Sequence, residues 1–152
     1  MAYETQEARQ QLLDTVAEAV DELGAALAGL GAAYEQLDER NADKLEEELF
    51  RPVQTAYGRA QRTHSEFAGR HGLPTRSFQP ATAGAPSQGV RGFLDGALDG
   101  VAEADLILTE LQDSMMPVEV GDADLRAGLA EVRGVVGNLG ERAREFVRTL
   151  GR

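Results

Sequence analysis

The chain has 152 residues, no cysteine, no tryptophan and a formal net charge of −11. One domain accommodates that length. Absent thiols exclude disulfides, thiolate metal sites and cysteine nucleophiles, and the negative balance opposes broad nucleic-acid binding, which needs a basic surface. Apolar residues make up 42% of the chain but aromatics only 5%, so Leu, Val and Ala must build the core, which suits helix-on-helix packing.

The first segment places Val16, Val20, Leu23, Leu27, Leu30, Tyr34 and Leu37 at alternating steps of four and three. Such a seam predicts a helix over about 5–38. Asp38 to Asn41 forms a tight connection, with Asn41 as the expected cap of a second helix over about 42–71. That helix begins on Leu45 and Leu49 and then shifts phase to Phe50, Val53, Tyr57, Ala60, His64, Phe67 and His71. Pro52 sits at the shift. Proline removes one helical hydrogen bond and crowds the carbonyl of Glu48, so a kink or short break is expected near Arg51.

Residues 72–86 are rich in Gly, Pro, Ser and Thr and predict a loop. Ser87 is the expected cap of a third helix over about 87–116, with Val90, Leu94, Ala97, Val101, Ala104, Leu108, Leu111 and Met115 along its seam. Pro117 ends it. Gly121, Asp122 and Asp124 introduce a fourth helix over about 122–151, whose seam runs Leu125, Leu129, Val132, Val136, Leu139, Ala143, Phe146 and Leu150. The expected fold is all-α: a single domain, an antiparallel up-down-up-down four-helix bundle with a kinked second helix.

Charge follows the segments. Residues 1–50 carry 3 basic and 13 acidic groups, 51–92 carry 6 and 1, 93–125 carry 0 and 9, and 126–152 carry 6 and 3. Helices one and three are acidic and the other two largely basic. In a bundle where each helix neighbours its sequence neighbours, every acidic helix lies between basic ones, and this alternation disfavours wrong pairings. The two hairpins also resemble each other: Ala26, Leu27, Gly29, Leu30, Ala33 and Leu37 match Ala97, Leu98, Gly100, Val101, Ala104 and Leu108 at an offset of 71.

Catalytic signals are absent from the sequence. A carboxylate-bridged metal bundle needs inward Glu residues and Glu-x-x-His pairs. No Glu-x-x-His occurs, and the seams of helices one, three and four hold no carboxylate or histidine. His64 and His71 stand seven residues apart, about 10 Å along a helix, too far to share one metal ion. No metal, cofactor or catalytic residue is therefore expected. With no basic-then-apolar leader and no apolar window of about 18 residues, neither secretion nor a membrane span is expected, and the expected location is the cytoplasm.

Two features remain for function. Helix three turns Gly92, Gly96 and Leu106 outward with Phe93 beside the seam, and the connection after it exposes Met116 and Val118; these form the expected surface for a protein partner or a second copy of the chain. Flexible methionine suits adaptable apolar contacts. The alternative expectation is an apolar small molecule or lipid held between the helices near Tyr57 and His64, where the helix-two irregularity opens space. The expected function is a non-catalytic interaction or self-associating scaffold module.

Overall fold

A computed structural model of the chain describes residues 2–79 and 81–150. All regular structure among them is helical. Helix α1 spans Ala2–Gln36. A two-residue connection leads to α2, Glu39–Leu45, whose N-cap is Asp38: its carboxylate accepts from the Asn41 N–H at 3.4 Å. The cap is thus Asp38 and not Asn41, because the helix starts earlier than the seam suggests.

α2 runs without interruption into a π turn, Glu46–Phe50, and then α3, Arg51–Arg70. Leu45, Phe50 and Arg51 all keep right-handed helical angles. The break expected near Arg51 does not form. Instead the helix widens before Pro52, and the Arg51 N–H bonds to the Glu46 carbonyl five residues back. The extra residue in that turn is what shifts the apolar phase from Leu49 to Val53.

A short 3₁₀ turn, Pro86–Gln88, precedes α4, Gly89–Asp113. Ser87 lies inside that turn, and no side chain caps α4. After α4 the chain turns through Met115, at a left-handed φ of 68°, into α5, Met116–Glu119. Asp122 caps α6, Ala123–Val136, and α7 follows as Leu139–Leu150. The single fourth helix of the sequence reading is therefore two, broken at Gly137 and Asn138. Its expected end at residue 151 lies outside the described residues.

The packing order differs from sequence order. α1 lies against α3 on one side and α4 on the other; α6 and α7 close the square between α3 and α4. Gly29 faces Phe93 and Ala97 while Gly100 faces Glu22 and Ala26, so α1 and α4 run antiparallel. Gln6 near the start of α1 donates to the His71 carbonyl, and Gln36 at its end donates to the Pro86 carbonyl, each at 3.0 Å. α3 and α4 thus share one direction. The up-down-up-down order expected from short connections is replaced by up-down-down-up, with the segment from His71 to Pro86 crossing the length of the molecule. Residues 6–36 of a helix rise about 45 Å. The 15 steps from His71 to Pro86 reach about 50 Å when extended. This strap is close to its full reach, and Pro74 and Pro86 favour extended backbone in the residues before them.

The expected alternation of charge is overturned with it: acidic α1 packs directly on acidic α4, and basic α3 on α6, which carries Asp124 and Glu131 against Arg126 and Arg133. The physical reason is scale. Leu23, Leu30, Leu94, Val101 and Leu108 are each at most 5% exposed, and burying such a side chain is worth about 1.5–3 kcal/mol. An exposed ion pair contributes about 0–1 kcal/mol. Small residues let the two backbones close up: a Cβ on Gly100 would sit 3.0 Å from the Glu22 carbonyl oxygen, and one on Gly29 would sit 3.1 Å from that of Phe93. These two contacts exchange under the offset of 71, since 93 and 97 map to 22 and 26. The pair therefore meets in a self-matching, two-fold manner.

Candidate functional site

Three of the polar or exposed places among the described residues bear on function. The first lies between α1 and α3 under the strap. Tyr57 and His64 are 8% and 3% exposed. Tyr57 packs on Gly24, where a Cβ would sit 3.1 Å from its ring. Burial raises the tyrosine hydroxyl's pKa, Asp21 adds to the rise, and Arg76 opposes it. His64 meets the Phe78 ring edge-on with centroids 5.0 Å apart, and its Nδ1 is buried without a hydrogen-bond partner. Burial pushes the His64 pKa below the usual imidazole range, as does Arg76, while Asp14 and Asp21 pull it back.

Arg76 fastens the strap here. Its two Nη groups donate to the two Asp21 carboxylate oxygens at 3.0 and 2.8 Å, and its guanidinium lies 4.5 Å over the Phe78 ring. Beside this clamp a groove of about 320 Å³ is lined by Gln10, Leu13, Asp14, Glu18, His64, Thr75 and Arg76, among others. The sequence reading singled out Tyr57 and His64, and both lie along the strap. It missed Asp14, Glu18, Asp21 and Arg76. One signal was present: Arg76 is the sole charged residue between His71 and Arg91.

The space inside the core is different. An apolar void between Leu30, Leu49, Val53, Leu94, Val101 and Leu139, beside the π turn, has a volume of about 10 Å³. That is about one water molecule's worth of room.

The second place is the outer face of α4. Leu106 is 49% exposed, and Asp99, Glu103, Glu110 and Asp113 around it on the same helix are exposed as well. Val118 on α5 is 58% exposed, and Met116 is half-buried against the core. Phe93 is not on this surface: at 4% exposure it belongs to the core. Its side chain is drawn inward because α1 passes so close at Gly29. Across the α1–α4 seam, Glu22 has its pKa raised by burial first, then by Glu103 and Asp21. Like charges crowd one another there.

The third place is a polar clasp at the end of the molecule where α1 begins. Asp122 accepts from Arg70 Nε and Nη2 at 2.8 Å each and from the Leu125 N–H at 2.7 Å, and its Oδ2 lies 2.8 Å from His71 Nε2. Burial alone would raise the Asp122 pKa, but the bonds from Arg70, Leu125 and His71 outweigh it and hold the carboxyl well below the usual range. Arg9 donates to the Val120 carbonyl at 3.0 Å and Arg126 to that of Pro117 at 3.2 Å. Every donor in this clasp ends on a structural acceptor, and no hydroxyl nucleophile belongs to it.

Among the described residues, no cluster of three or more His, Asp or Glu is placed to hold a metal ion, and no helix is long and apolar enough to cross a membrane. No family model, curated protein or solved structure matches the chain.

Proposed function

We propose that the protein is a non-catalytic binding module whose acidic α1–α4 face docks a basic protein partner, with Leu106 as the apolar anchor. The observation that carries this reading is where the charge resides. α1 and α4 together hold 13 acidic and 2 basic residues, and the rest of the chain holds 13 of each. The whole net charge of −11 thus belongs to two adjacent helices. The α3–α6 side neutralises itself through Arg59–Glu131 and Arg70–Asp122. No ion pair joins α1 to α4 among the described residues.

Asp14, Glu18 and Asp21 turn toward the strap and Asp105 pairs with Arg133; the remaining acidic excess along the two helices focuses a field that attracts and orients an oppositely charged partner. It opposes self-association through the same face, where a two-fold dimer would set carboxylate against carboxylate. The partner is therefore a basic chain and not a second copy. Exposed leucine ringed by charge matches the build of an interface, with an apolar centre and a polar rim. The void of about 10 Å³ in the core gives an apolar ligand between the helices no comparable support.

The test is titration with an amphipathic Lys/Arg-rich helical peptide, followed by anisotropy at low and high salt. Binding should weaken steeply as salt rises. Leu106→Ser should weaken it about tenfold, and Glu103→Lys with Glu110→Lys should abolish it. Binding indifferent to those charge reversals would falsify the proposal.

A further inference from the structure

We infer that the groove beneath the strap, beside His64, is a binding site for a small primary amine. The charge of the groove sets the sign of the ligand. Asp14, Glu18 and Asp21 project along one stripe of α1 against the single guanidinium of Arg76. Arg76 occupies both oxygens of Asp21. Asp14 accepts from Gln10 Nε2 at 2.8 Å on one oxygen, leaving the other free. Glu18 makes no hydrogen bond or ion pair with any described residue. Two carboxylates one helical turn apart therefore stand unneutralised over the same space.

The floor of the groove supplies an independent observation. His64 is 3% exposed, lines the groove, and carries a buried ring nitrogen that nothing in the protein satisfies. Buried polar atoms of folded proteins are nearly always paired. Neither His64 ring nitrogen has a hydrogen-bond partner among the described residues, and a neutral imidazole keeps one of the two as an acceptor whichever carries the proton. That acceptor calls for an N–H donor, which an alkali-metal ion lacks. A primary ammonium carries three N–H groups and a full charge, enough to serve Glu18, Asp14 and His64 at once. Leu13 and Ala17 offer apolar walls for a short alkyl stem. The Phe78 ring of the strap packs perpendicular to the imidazole with centroids 5.0 Å apart, so a change at His64 is felt in the strap. The site lies between α1 and α3, so it stands or falls apart from docking on α4.

The experiment is a titration of the intact protein with n-butylamine at neutral pH, following the His64 ring nitrogens and the backbone amides of the strap by NMR. A saturable shift at His64 and around Phe78 is expected. Butan-1-ol, with the same stem and no charge, should produce none, and tetramethylammonium, with charge but no N–H, should leave the His64 nitrogens unmoved. Asp14→Asn with Glu18→Gln, both exposed and away from the core, should weaken butylamine about fivefold to tenfold with the fold intact by its amide spectrum. Leu106→Ser should change nothing here. Unmoved His64 signals, equal shifts with butanol, or undiminished affinity in the double variant would each overturn the site.

Discussion

The two long seams of this bundle hold together by opposite means. Between α1 and α4 there is no ion pair among the described residues, and the contact is made by Gly29, Gly100 and alanines that let the backbones approach. Between α3 and α6, Arg59 reaches Glu131, Arg70 reaches Asp122, and the buried Thr63 fits against Gly128, where any Cβ would collide with it. Thr63 donates to the Arg59 carbonyl at 2.9 Å and accepts from Arg59 Nη1 at 3.2 Å, so its hydroxyl is satisfied. One seam brings backbone against backbone and is electrostatically unfavourable; the other seats a side chain on a glycine and has its charges matched. Shape therefore governs which helices pair, and charge is free to serve recognition on one side and cohesion on the other.

Substitutions at the close seam should give the largest effects. Gly100→Leu would drive a side chain into the Glu22 backbone, 3.0 Å from the position of its Cβ. A loss of about 1–3 kcal/mol is expected in urea unfolding. Gly96, with open space around it, is the matched control: Gly96→Ala should stabilise by up to about 1 kcal/mol. Equal outcomes at the two sites would remove the distinction between seam and surface.

At the matched seam, Asp122→Ala removes a helix cap and its partners together, and a loss of about 1–2 kcal/mol at neutral pH is expected. Sign decides the pH window. The Asp122 carboxyl is held below its ordinary value in the fold, so its contribution is complete above the ordinary carboxylate range and fades as pH falls through and below it. Thermal melts at pH 7 and pH 3 should show wild type and Asp122→Ala converging in acid. His64 follows the same direction: its folded pKa is depressed, so acidification below the usual imidazole range opposes folding, and His64→Phe should flatten the stability profile between pH 7 and pH 5.

The smallest effect tests the cost of the acidic face. The Glu22 pKa is raised by burial, Glu103 and Asp21, so carrying its charge costs more in the fold than in the unfolded chain. Glu22→Gln should gain about 0.5 kcal/mol at low salt and less as salt rises. A loss in place of that gain would show that the acidic pair is not repulsive.

Much of the architecture was visible in the chain. The steps of three and four place Leu23, Leu94, Leu129 and their companions in the core, where they are found. Which helix meets which was not visible, because a heptad seam says that a face turns inward and not whose face it meets. The link from His71 to Pro86 is long enough either to turn back or to cross, and the weak charge alternation favoured the wrong choice. Gly29 and Gly100 carried the deciding information, but their match is equally the mark of two similar hairpins. Phe93 was placed outside for the same reason: its position flanks the seam, and the close approach of α1 turns a flank into core. The break at Gly137 and Asn138 was hidden by a seam that continues through it, from Val136 to Leu139. The groove was half visible, since a buried histidine on a helix is legible but the loop residue that comes to lie beside it is not.

The link between the hairpins has almost no slack. Shortened by about five residues, it would extend roughly 33 Å and fall short of the far pole of its own molecule. The second hairpin would then find its seat most readily on another copy, by exchange of halves. The number of residues in an irregular stretch of coil is thus what lets this polypeptide close upon itself.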